Sequence, residues 1–264
     1  MPDNKILGKK DVIILIATHK KYRMPKDDIY LPIHVGKEGK SDLGYIGDDT
    51  GKNISDKNAS WCELTGLFWG WKNLSCDYLG IVQYRRHFMY RRKRNRFASI
   101  LNGEELREIL EKNDIILPKP RNYRIDTLEE HFEGYDFSVP EDLVNFRKVI
   151  NDICPEYMSA VETVLARKTG HMCNMFIMKK KLVNAFCEWE FAVLEEFEKY
   201  IREDRKRIVG YVAEHMIDIW IEKNQLDYAE CNVVLLDCKN EIDRRIDFIM
   251  RKLGLKFRRI KLEV

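Results

Sequence analysis

Between Asp77 and Phe97 the chain reads DYLGIVQYRRHFMYRRKRNRF: an apolar run of strand character stops at Gln83 and delivers Tyr84, Arg85, Arg86 and His87 in succession. A second apolar run, DVIILIA, ends in the same way, in Thr18, His19 and Lys20. Guanidinium forks give bidentate hydrogen bonds to phosphate oxygens, and a lysine adds compact charge. If the two strands are parallel neighbours, both clusters line one crevice and can hold an anion such as a phosphate. The competing reading pairs Arg85 and Arg86 with carboxylates elsewhere in the fold. Their place after a buried strand favours a ligand. Neither G-x-G-x-x-G nor G-x-x-x-x-G-K-[ST] occurs, so side chains must hold the phosphate in place of a glycine-rich backbone cradle.

The elements that position these clusters follow from hydrophobic pattern. DVIILIA is short, β-branched and bounded by charge, as expected of a central parallel strand covered on both faces. The polar segment GKEGKSDLGYIGDDTGKNISDKN reads as a long loop. NASWCELTGLFWGWKNL has helical spacing, with Asn58 or Ser60 as a cap. The strand DYLGIVQY, the basic loop, the helix NGEELREILEKN and the strand DIILPKP complete a Rossmann-like α/β layout. Beyond residue 125 the pattern turns helical: TLEEHFEGY, EDLVNFRKVINDICPEYMSAVETVLA, KLVNAFCEWEFAVLEEFEKYIRE and YVAEHMIDIWIEKN, interrupted by the strand-like NMFIMKK. The expected organisation is one domain over residues 1–239, with a nucleotide-binding half (1–125) and an acceptor half (126–239). A basic amphipathic segment (240–264) follows.

Composition narrows the class. Lys+Arg 46 against Asp+Glu 43 leaves a net charge of +3, too balanced for nucleic-acid binding by bulk charge. The seven cysteines form no C-x-x-C pair, and the first twenty residues lack the long apolar region of a signal peptide. Both point to a reducing, cytoplasmic setting with cysteines that pack, and no structural metal is expected. No window has the length of uninterrupted apolar sequence that a membrane-spanning helix needs. The tail from Arg244 to Lys261 interleaves basic and apolar residues and suits an anionic bilayer surface, at the inner face of the membrane.

The segments ATHKKYRMP, DDTGKNISDKNASWCELTGLFWGWKN, YLGIVQYRRHF and NMFIMKK, in this order across roughly residues 11–222, resemble a bacterial family of capsular and exopolysaccharide biosynthesis proteins regarded as glycosyltransferases of GT-A-like fold. The resemblance implies a GT-A-like nucleotide-sugar-binding sheet flanked by helices, with a mainly helical C-terminal part. It implies that Ala17, Thr18, His19 and Lys20 flank the nucleotide and that Asp48, Asp49, Thr50, Asn53 and Asn58 shape the donor pocket. Asp48 to Gly51 also reads as an Asx-type turn, which is compatible. Where the family carries H-Y-R-R, this chain has Gln83, Tyr84, Arg85 and Arg86; the arginines keep an implied diphosphate role, and a role for the histidine does not carry over to Gln83. D-x-D, which commonly holds a divalent metal in GT-A enzymes, is absent, so arginine and histidine would neutralise the departing diphosphate. Asn174 resembles a position that presents a polar group to the sugar. Trp61 and Trp69 read as core by their spacing or as sugar platforms, and Cys62 as packing.

An inverting transfer needs a carboxylate to take the acceptor proton. Glu214 is the first candidate, because it interrupts an otherwise apolar helix; pairing with Arg207 is the competing reading. His215 beside it and His131, which matches a family position, are the others. The expected function is a glycosyltransferase that moves a hexose, with a UDP-linked hexose such as galactofuranose as the first donor implied by the resemblance, to a lipid-linked or oligosaccharide acceptor in capsular, exopolysaccharide or O-antigen synthesis. A noncatalytic nucleic-acid-binding module using Arg91 to Arg96 and the tail is the alternative. A hydrolase lacks its motifs, G-x-S-x-G and H-E-x-x-H.

Overall fold

A computed structural model describes residues 10–134, 138–202 and 204–236. The basic tail lies outside the described residues. The strands are β1 (Lys10–Thr18), β2 (Tyr30–His34), β3 (Ile46–Gly47), β4 (Cys76–Gln83), β5 (Arg86–Met89), β6 (Ile115–Pro118), β7 (Arg121–Asn122), β8 (Thr169–Gly170), β9 (Phe176–Lys179) and β10 (Ala229–Leu235). The helices are α1 (Asn58–Trp61), α2 (Leu64–Asn73), α3 (Gly103–Leu110), α4 (Leu128–Glu133), α5 (Pro140–Ile153), α6 (Met158–Leu165), α7 (Lys180–Glu198), α8 (Ile208–Ala213) and α9 (Met216–Asn224).

β1 has parallel neighbours on both sides, β2 and β4, and β3 extends the sheet beyond β2. Its apolar run is continuous because both faces are covered. Ile13, Leu15 and Ala17 enter one buried cluster; Val12, Ile14 and Ile16 enter the other. On the far side of β4 the sheet becomes mixed. β9 runs antiparallel to β4 and to β6, β10 is parallel to β6, and β10 is antiparallel to β5. β5 returns to β4 at the Gln83–Arg86 pair, so the pairings β4–β9–β6–β10–β5–β4 form a closed circuit.

Two sequence expectations change here. The layout is not a simple alternation of parallel strands and helices, because β9 and β10, from the second half of the chain, enter the sheet beside β4, β5 and β6. The halves divided near residue 125 therefore share one sheet and one apolar core. Three helical segments are also interrupted. NASWCELTGLFWGWKN breaks at Cys62, which has φ 51°. Neither Asn58 nor Ser60 caps it: Asn58 Nδ2 donates to the Cys62 carbonyl at 2.6 Å, inside the break. EDLVNFRKVINDICPEYMSAVETVLA breaks at Cys154 before Pro155, which cannot donate a backbone hydrogen bond. YVAEHMIDIWIEKN breaks at Glu214 and His215, whose amides bond three residues back, to Tyr211 and Val212.

At Gly80 the strand β9 packs closely on β4. A Cβ built there would lie 2.9 Å from the Phe176 carbonyl oxygen and 2.8 Å from Ile177 Cγ1. Gly80→Ala is expected to destabilise the fold by about 1–3 kcal/mol, the usual cost of an overpacked core position, seen as a lower urea midpoint with unchanged slope. An unchanged midpoint would show that β9 moves aside freely.

Candidate functional site

The parallel register pairs Ala17 with Gln83, so the carboxyl ends of β1 and β4 stand side by side. A cleft of about 940 Å³ opens beyond them, where ligands of open α/β sheets sit. The two-residue turn between β4 and β5 divides the arginine pair. Arg85 sits at the turn, exposed, and Arg86 begins β5, half-buried; both line the cleft. Lys40, Arg121 and Arg207 add three further cations to its walls, facing only two lining carboxylates, Glu63 and Glu214. Such a balance favours a multiply charged anion over a cation.

One side chain ties these walls together. Gln83 Nε2 donates to Glu63 Oε1 at 2.8 Å and to the Cys173 carbonyl at 3.3 Å, while Gln83 Oε1 accepts from Arg86. Glu63 Oε1 also accepts from Asn174 Nδ2 at 3.4 Å, and the same Nδ2 donates to the Gly210 carbonyl at 3.1 Å. The segments that meet here are bent. Cys62, Cys173, Asn174 and Arg207 all have positive φ without being glycine, a conformation that costs about 1–3 kcal/mol each and clusters at functional sites. Gly210 lets α8 pack closely on the break after α1, since a Cβ would lie 3.0 Å from Cys62 Sγ.

Burial, then the nearby Glu63 carboxylate, pushes Glu214 up to about 8, against the opposing pull of Arg86, the Cys173 amide and Arg121. Arg207, its partner in the competing sequence reading, lies instead over the Tyr211 ring, 5.0 Å from its centroid. Burial and Glu63 also push the Cys62 thiol up to about 12, and the half-buried side chain lines the cleft. His19 lines the cleft and is held below the usual imidazole range by burial and by Lys20, Lys40 and Arg85.

The other expected residues fall into two groups. Asn58, Gln83 and Tyr84 line the cleft together with Ala17, His19, Arg85, Arg86 and Glu214. Thr18 is buried beneath, its hydroxyl donating to the Lys20 carbonyl at 2.7 Å, and Lys20 packs over the Tyr84 and Tyr22 rings. Asp48 does not reach the cleft lining. It is fully buried and accepts from the Gly36 and Lys37 amides at 2.7 and 3.0 Å and from the Ser55 and Thr65 hydroxyls. Asp49 lies 4.0 Å from Lys37, Thr50 accepts from Trp69 Nε1 at 2.9 Å, and Asn53 bonds Gly51 and Ser55. These four brace the loop, the turn reading of that stretch. Asn174 sits directly behind the wall. His131 lies against Tyr123, with ring centroids 3.8 Å apart, and His215 is buried and pushed down to about 4 by burial. Neither lines the cleft. His87, grouped with the arginines in the sequence, points into the core and is likewise held neutral, pushed down to about 4 by burial.

Trp61 and Trp69 are core: Trp61 stacks on Phe191, and Trp69 is buried. Sequence reasoning missed Lys40, Glu63 and Arg121 as members of the site. Their local signal was weak: Lys40 lies in a loop, Glu63 at a helix break and Arg121 in the two-residue strand β7. Among the described residues no cluster of three or more His, Cys, Asp or Glu side chains is arranged to hold a metal ion, and no helix is long and apolar enough to cross a membrane.

Glu214 makes stability depend on pH. The folded chain holds its proton to about 8, whereas an ordinary glutamate releases it near 4.5. The folded state therefore binds more protons between these values, and this contribution, complete below about pH 4.5, is lost as pH rises through about 8. Glu214→Gln carries no such proton. Its melting temperature is expected to match the parent near pH 5 and exceed it by roughly a few degrees at pH 9; a pH-independent difference would contradict the assignment.

The chain is similar to the solved apo structure of the WbbM bifunctional glycosyltransferase, with 29% sequence identity and a TM-score of 0.79 over 86% of this chain and 45% of that one. It thus spans less than half the length of that protein. No curated protein sequence matches it. Residues 13–225, most of the chain, match the family described as Domain of unknown function (DUF4422), and the chain belongs to that family.

Proposed function

We propose that this protein is a glycosyltransferase that binds a nucleotide diphosphate sugar in the cleft beyond β1 and β4 and transfers the sugar to a glycan or lipid-linked acceptor. The observation that carries this reading is the convergence of Arg85, Arg86, Lys40, Arg121 and Arg207 on one cleft at the ends of adjacent parallel strands. Likeness in fold to a bifunctional glycosyltransferase supports it. A GT-A-like description of the sheet, a UDP-hexose donor and a role in capsular or related polysaccharide synthesis belong to the same proposal. So does association with an anionic membrane.

In this reading Arg85 and Arg86 stabilise the departing diphosphate, where charge develops in the transition state. Glu214, in its ionised form, takes the proton of the acceptor hydroxyl. Gln83 holds Arg86 and Glu63 in place from opposite ends of its amide. Because Glu214 holds its proton up to about 8 in the unliganded cleft, and a bound diphosphate that offsets Arg86 and Arg121 raises it further, transfer is expected to rise with pH through that value.

Titration of the full chain with UDP, GDP, CMP and dTDP, followed by assay of the matching sugar nucleotides, tests the reading. Arg85→Lys and Arg86→Lys each keep charge but lose the planar fork, and each is expected to weaken donor binding or turnover roughly tenfold. Transfer is expected to survive a chelator. Complete inhibition reversed by manganese would replace the arginine-only clamp with a metal, and unchanged kinetics in both lysine variants would remove the clamp. Glu214→Gln is expected to lower turnover by roughly two to four powers of ten with donor affinity retained. Near-normal turnover would remove Glu214 from the chemistry.

A further inference from the structure

A second hollow, of about 450 Å³, lies on the other side of the β7–β8 ribbon. The ribbon is the shared wall. Pro120, Thr169 and His171 face the hollow, while Arg121, Met172 and Cys173, their chain neighbours, face the cleft.

The chemistry of the two spaces is opposite. In the hollow two cations, Arg167 and His171, meet four carboxylates, Asp218, Glu222, Asp227 and Glu230. Arg167 is paired with Glu222, and His171 Nδ1 with Asp218. Asp218 also accepts the His171 backbone amide at 2.9 Å, and Glu230 stands 3.5 Å from the buried Nε2 of the same ring. Burial alone would lower His171, but Asp218 and Glu230 outweigh it and raise it, which favours the charged ring between acids. With the ring charged, two cations against four carboxylates still leave negative charge over, at Asp227 and across the Asp218 and Glu230 carboxylates that share His171, and a phosphate or uronate would be repelled. Tyr228 stands at the same wall, edge-on to the His171 ring with centroids 5.2 Å apart, and remains 38% exposed. An open aromatic ring beside planar carboxylate and guanidinium groups, already locked by their own pairing, suits a polyol: the ring covers C–H faces and the planar groups bind neighbouring hydroxyls.

We propose that this hollow, walled by Tyr228, Asp227 and the His171–Asp218 pair, is a saccharide subsite that takes neutral sugar units of the acceptor, an assignment of the bound chain that rests on the transferase reading above. The division of labour follows from charge. The cleft takes the anionic donor and the hollow the uncharged glycan, with the ribbon between them.

Probing an array of bacterial mono- and oligosaccharides, neutral and acidic, with the full chain tests this without any transfer reaction. Binding is expected to neutral glycans and not to uronate- or phosphate-bearing ones, and to fall at least tenfold in Tyr228→Ala and in Asp227→Asn. The second variant is nearly isosteric and keeps the test sound if the first disturbs folding. UDP affinity, measured by calorimetry, should stay within twofold in both, because neither residue lines the cleft. Absence of neutral-glycan binding, binding to acidic glycans alone, or undiminished binding in both variants would overturn the subsite. A parent chain that binds neutral glycans through Tyr228 yet takes up none of UDP, GDP, CMP and dTDP would support the subsite and overturn the transferase reading.

Discussion

The cleft depends on a single neutral amide. Gln83 stands at the end of β4, where the backbone turns into β5, and its side chain uses two donors and one acceptor on three different walls. A charged group at this position would pair outright with Glu63 or with Arg86. The amide instead holds both without neutralising either, so Arg86 keeps its charge for a ligand and Glu63 keeps its effect on Glu214. Loss of that joint would release the α1–α2 break, the start of β5 and the Cys173 segment together, since each reaches Gln83 by a different hydrogen bond.

The backbone around this joint is strained where the site is. Cys62, Cys173, Asn174 and Arg207 sit in left-handed conformations, and each would relax in an isolated peptide. Packing holds them: Gly210 against Cys62, Asn174 between Glu63 and the Gly210 carbonyl, and the Arg207 amide on the Ala59 carbonyl at 2.9 Å. The bends turn Glu63 and Glu214 out of their helices. A glutamate inside a continuous α8–α9 helix would lie on one face of a regular surface; at the break its carboxylate meets the Cys173 amide. The same segment, residues 169–174, leads from the second hollow into the cleft, so both spaces are shaped by one short stretch of chain.

Much of the frame was legible in the sequence. VIILIA, residues 12–17, is apolar at every position because both of its faces are buried, and this is a property that composition records directly. NGEELREIL carries its own start signal, and the capping box of Asn102 and Glu105 forms as the residue types require. The arginines after β4 stand out in the sequence as charge at the end of an apolar run, and both line the cleft. The loop around Asp48 also speaks locally, since short polar side chains followed by glycine favour a turn.

The tertiary structure alone decided the rest. β5 is short and β10 buries only Cys231 and Val234, and strand pairing, not local pattern, makes them strands: β10 is held between β5 and β6. The helix periods of NASWCELTGLFWGWKN and YVAEHMIDIWIEKN run unbroken in sequence, because the residues that break them, Cys62 and Glu214, carry no local breaking signal; long-range packing imposes the bends. His87 and Arg86 are adjacent in sequence and opposite in fate, since successive side chains of a strand point to opposite faces, one into the core and one into the cleft. Lys40, Glu63, Arg121 and Arg207 are far apart in the chain. Only folding brings their charges within reach of one another, and charge acts through space, which a linear sequence does not contain.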